Sequence, residues 1–79
     1  MDKLAVSKIV HFVMSNGEHR PAICVRAWND TCGNFQVFID GTNDAATDAT
    51  REDMDRGVMW ATSVCYSEDH TPRTWHWAE

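Results

Sequence analysis

The sequence predicts an all-β domain: five short antiparallel strands, with a polar, acidic insertion between the third and the fourth. Three observations carry this. Runs of β-branched and aromatic residues recur at close spacing along the chain. The breaks between them are made of Asn, Asp, Gly, Ser and Pro, which turn a backbone readily. The first three runs are joined by connections too short for a parallel crossover, so they pair antiparallel. At 79 residues the chain is one domain, 1–79, with a small core. A chain this short buries only about 60–65% of the surface its unfolded form exposes, and small domains commonly compensate by self-association.

Residues 8–14 read as the first strand, closed by the turn Ser15, Asn16, Gly17. Period-two alternation puts Val10, Phe12 and Met14 on one face and Ile9, His11 and Val13 on the other. Residues 20–28 are the second strand. Pro21 has no amide hydrogen for a ladder, so it belongs at the strand's start or at an edge. Ile23, Val25 and Ala27 make its plainly apolar face; Cys24, Arg26 and Trp28 make a mixed one. After turn residues 29–34, residues 35–40 form the third strand, with Phe35, Val37 and Ile39 toward the core and Phe38 on the opposite side.

Residues 42–57 are small, polar and acidic. Asp44 is placed to cap a short helix through Ala45, Ala46, Ala49 and Met54 toward Gly57. Thr47, Thr50 and the aspartates are indifferent helix formers and favour a loop, so both readings stay open. Residues 58–66 restore strand composition, and residues 67–72 break it. Pro72 pushes Thr71 to extended geometry. The aromatic ending then reads as a fifth strand or an extended tail, with Trp75 and Trp77 on one face and His76 on the other. Five such strands make a curled sheet or a small SH3-like barrel, and closure would protect strand edges.

Seven basic and twelve acidic residues give a net charge of −5, which opposes direct binding to nucleic acid or to anionic membrane. No run approaches the roughly 20 apolar residues of a membrane span, and the N-terminus lacks a signal-peptide stretch. A cytoplasmic protein is expected, with Cys24, Cys32 and Cys65, an odd and sparse set, packed as reduced thiols. Metal is not expected. Cys24 and Cys32 are eight apart and His70 and His76 six apart, unlike the close pairs of a structural zinc site. A calcium loop counted from Asp40 fails at Ala45 and Arg51. Neither Cys24 nor Cys65 carries a nucleophile motif, and no phosphate cradle is present, so neither catalysis nor a cofactor is expected.

Four stretches together resemble a widespread family of small phage and prophage proteins, mostly of unassigned function: Val10-His11-Phe12; Gly17-Glu18-His19-Arg20-Pro21-Ala22-Ile23; Gln36-Val37-Phe38-Ile39-Asp40-Gly41; and Thr74-Trp75-His76-Trp77. The likeness spans most of the chain outside residues 43–56, and Ala78 stands where the family tends to have proline. It implies a virus-encoded, non-catalytic accessory protein acting in an infected bacterium or carried in the particle.

The tryptophans are the leading candidates for function. Trp28, Trp60, Trp75 and Trp77 exceed what a small interior holds, so some are expected to serve a dimer seam or a partner. The acids Asp44, Asp48, Glu52, Asp53 and Asp55 are expected to add charge complementarity toward a basic host or virion protein. The alternative is a shelf for a nucleotide between protomers, with indole stacking and Arg20, Arg26 or Arg73 meeting phosphate, and His76 beside them. A weaker alternative is mimicry of DNA by the acidic surface.

Overall fold

The computed structural model describes residues 2–44 and 48–78. Five strands and one short helix follow in order: β1 Ile9–Val13, β2 His19–Ala27, β3 Cys32–Phe38, α1 Arg51–Arg56, β4 Val58–Cys65 and β5 Trp75–Trp77. They form one antiparallel sheet of order β4-β3-β2-β1-β5. A meander of four strands is thus completed by a last strand that returns beside the first. The sheet curls until its two ends meet at one point, where Tyr66 bridges Trp75 and the Ser67 amide donates to the Trp75 carbonyl at 3.0 Å. It remains a curled sheet and does not close.

Register decides which face is buried. Val10 lies opposite Ala22 and Trp77, Phe12 opposite Arg20 and Trp75, Ala22 opposite Val37, and Cys24 opposite Phe35. Apart from Arg20, these residues line the concave face with Met59 and Ala61, and Leu4, Ile39 and Met54 pack over them. On β2 the buried side chains are therefore Ala22 and Cys24, while Ile23 and Val25 look outward, although they are the more apolar pair. Register puts the two small side chains, Ala22 and Cys24, against Val37 and Phe35. A bulge between Cys24 and Arg26 then reverses the alternation, so that Ala27 returns to the core.

Two turns differ from expectation. The third strand begins at Cys32, because the Asn29 side-chain oxygen accepts the amides of Thr31 and Cys32, each at 2.9 Å, and turns the chain within three residues. Cys32 then sits opposite Cys65, and the two form a disulfide. The expected reduced state holds for Cys24 alone, which is buried in the core, where burial raises its thiol pKa. The insertion does contain a helix, capped by Thr50 instead of Asp44. Thr50 accepts the Asp53 amide, Asp53 accepts the Thr50 amide, and Gly57 ends the helix at φ 75°. Ala45, Ala46 and Thr47, part of the expected helix or loop, lie outside the described residues.

Candidate functional site

The convex face of the sheet divides into an apolar territory and a cluster of imidazoles. One row crosses it as Ile9, Ile23, Gln36 and Trp60, directly opposite one another on β1, β2, β3 and β4. A neighbouring row runs His76, His11, Pro21 on β5, β1 and β2, with Phe38 and Val58 paired farther along. Ile9, Trp60 and Phe38 are 59%, 52% and 42% exposed, and Val25 at the bulge is open as well. Trp28, 52% exposed, is held at the far end: its indole N–H donates to Asn34 Oδ1 at 2.9 Å, and the Arg26 guanidinium lies 4.3 Å from its ring centroid. None of the five strands contains a carboxylate. All of the acids lie in turns, the insertion and the ends of the chain.

At the β2–β1–β5 end the four histidines of the sequence meet. His11 faces His76 across the ladder, and His19, opposite Val13, is its diagonal neighbour. Ring centroids are 5.4 Å apart for His11 and His76, 4.6 Å for His19 and His76, and 6.0 Å for His11 and His19. His70 arrives from the connection before β5 and stacks on His76 at 3.7 Å with 20° between the planes. That connection doubles back through left-handed backbone at His70 and Arg73, φ 57° and 65°. The ligand atoms of His11, His19 and His76 lie within 4.8 Å of one another, and His11 Nδ1 is buried with no hydrogen-bond partner.

Of the side chains singled out from the sequence, Trp28, Trp60 and Arg26 are on the open convex face. Trp75 is a core residue, fully buried, its indole N–H donating to the Thr31 carbonyl at 2.7 Å and its ring edge-on to Tyr66 and Trp77. Trp77 is half-buried against the same core. Neither is a free contact surface, because β5 turns that face inward. His76 is buried beneath His70. Arg20 is engaged by Asp44 and Glu18, and Arg73 by Asp48, so two of the three guanidinium groups of the nucleotide shelf are committed to ion pairs.

The acidic segment is likewise not one surface. Asp44 is buried and takes Arg20 through both carboxylate oxygens, and Asp40 through its amide. The Arg20 hydrogen bond, against the opposing effect of burial, holds its carboxyl below the usual range, and the Arg20 pKa is raised in return. Asp48 accepts the Ser15 amide and hydroxyl and Arg73; burial pushes its pKa up, but these bonds outweigh it and the carboxyl is also depressed. Asp53 is spent in the helix cap, leaving Glu52 and Asp55 exposed. Two of the five acids, Asp44 and Asp48, are therefore turned inward.

Sequence spacing missed His11, His19 and His70 as a group, since strand register brings His11 and His19 to His76 and the connection before β5 adds His70. No helix among the described residues is long and apolar enough to cross a membrane. Compared with protein-family models, with curated proteins and with solved structures, the chain matches none of them.

Proposed function

We propose that the protein is a non-enzymatic interaction module that pairs with a second copy of itself through the apolar part of its convex face. The observation that carries this reading is the face itself: Ile9, Val25, Phe38 and Trp60 stand open on strands without a single carboxylate, in a chain of net charge −5. Like-charge repulsion between two copies therefore falls away from the seam, while indole and aliphatic burial favours it. Four strands at about 4.8 Å spacing and seven residues of β3 at about 3.3 Å give a footprint on the order of 400 Å² per copy. Accessible area exceeds footprint because side chains stand out from the sheet, so two copies covering this face approach the roughly 1,000 Å² of a specific contact.

The likeness to small phage and prophage proteins supports an accessory role in an infected bacterium, where the pair would block or decorate a host or virion protein. Sedimentation of the full chain over a concentration series tests the pairing. The wild type is expected to approach twice the chain mass, and Trp60→Asp to remain at one chain mass with an unchanged circular dichroism spectrum. A wild type that stays monomeric at every concentration, or a Trp60→Asp variant that pairs equally well, would overturn it. The nucleotide reading retains one observation, the Arg26 guanidinium over Trp28. It requires a nucleotide to raise the melting temperature and Trp28→Ala to abolish that rise.

A further inference from the structure

We infer that His11, His19 and His76 form a binding site for a divalent first-row transition metal, with His70 stacked on the His76 ring as a cover and the fourth position left to a solvent or exogenous ligand. The inference does not depend on the pairing of two copies. Three imidazoles from β1, β2 and β5 present ligand atoms within 4.8 Å of one another. Tetrahedral zinc with nitrogen ligands at about 2.0–2.1 Å sets those atoms roughly 3.3–3.4 Å apart. Closing a triangle of the observed size moves each ring by about 1 Å or less, within the reach of small side-chain rotations.

The alternative to weigh is that four imidazoles simply pack together. Two observations speak against it. His11 Nδ1 is buried without a hydrogen-bond partner, although an imidazole placed for packing is ordinarily satisfied. His70 adopts a left-handed backbone conformation, uncommon outside glycine, and that conformation lays its ring on His76. Such backbone is kept where the surroundings impose it and is frequent at ligand sites.

The chemistry of the donors selects the class of ion. An all-imidazole set suits zinc, copper, nickel or cobalt and not calcium or magnesium, which take oxygen ligands. No carboxylate stands on the strands that carry these rings, so the charge of the ion would be balanced by the net charge of −5 spread over the rest of the chain.

The test uses the tag-free full chain with its Cys32–Cys65 link intact, and the probes are Zn(II) and Co(II). One ion per chain is expected. At free Zn(II) about a hundred times the dissociation constant, the melting temperature should rise by about 10 °C or more. Bound Co(II) should acquire the visible absorption of a four-coordinate site. His19→Gln alters an exposed ring and His11→Gln a partly exposed one, and each is expected to weaken Zn(II) binding by about tenfold or more with the fold retained. Cys24→Ser should bind as the wild type does. Absence of any shift with Zn(II), Cu(II), Ni(II) and Co(II), or unchanged Zn(II) affinity in both histidine variants, would overturn the site. A monomeric protein that binds Zn(II) through these residues supports the site and removes only the proposed pairing.

Discussion

Replacing Asp44 with asparagine removes one half of the ion pair that fastens the insertion to β2. The Asp44 side chain is 3% exposed and the Arg20 side chain 19%. Asparagine keeps one carbonyl acceptor but sets an amide N–H₂ against donors of Arg20, and leaves the guanidinium short of its main partner. Loss of one partner from a buried pair costs about 3–5 kcal/mol. Arg20 is partly solvated and keeps Glu18 at 2.8 Å, which brings the expected loss to about 2–3 kcal/mol. A domain of this length has roughly 4–12 kcal/mol in all. With a urea slope of about 1 kcal/mol/M, the unfolding midpoint should fall by about 2–3 M at pH 7.

The same pair fixes a pH dependence. Asp44 is held below the usual carboxylate range chiefly by its hydrogen bond to Arg20. A carboxyl depressed in the folded state contributes stability that is full above its unfolded pKa, about 4, and is lost as pH falls through the lower folded value. The gap between wild type and Asp44→Asn should therefore be widest at neutral pH and narrow progressively below about pH 4. Urea titrations at a series of pH values measure it. A midpoint difference below about 0.5 M at pH 7, or a gap unchanged in strong acid, would refute the reasoning.

Gly33→Ala should destabilise by about 1–3 kcal/mol, because an added Cβ would lie 2.4 Å from the Arg26 carbonyl oxygen and 2.9 Å from Leu4 Cδ2; a thermal melt within 2 °C or so of the wild type would contradict this close approach. Joint replacement of Cys32 and Cys65 by serine frees a loop closed across a separation of 33 residues, and loop entropy puts the loss at about 3–4 kcal/mol, read as a lower urea midpoint. A midpoint that also fails to move on reduction would show that the link does not constrain the chain.

Strand positions were legible in the sequence because alternation and turn chemistry are local. Val10, Phe12 and Met14 are buried as their spacing implies, and Trp75 and His76 take opposite faces as an extended segment requires. The buried side of β2 was not legible. Hydrophobicity alone favours Ile23 and Val25, whereas the register with β1 and β3 turns Ala22 and Cys24 into the core. Nor was the disulfide, since pairing of Cys32 with Cys65 is a property of the β3–β4 register. The imidazole cluster is the same kind of fact. His11 and His76 become neighbours only once β5 returns to β1, a long-range pairing that no local pattern announces. The tryptophans were half legible: four indoles signalled an excess over the interior, and Trp28 and Trp60 are that excess.

Two of the acids, Asp44 and Asp48, explain how the convex face is kept as it is. Asp44 draws the insertion to Arg20 on β2, and Asp48 joins it to Ser15 after β1 and to Arg73 before β5. Asp48 therefore grips the connection that carries His70, three residues before Arg73. The Arg73 amide adds a second hold, donating to the Val13 carbonyl at 2.7 Å. The other end is tied by the Ser67 amide, which donates to the Trp75 carbonyl at 3.0 Å, and between the two the His70 ring lies on His76. Negative charge placed on the strands would have paired with the imidazoles or opposed a second copy. Placed in the insertion, it fixes the scaffold from the side and leaves apolar side chains open on the convex face.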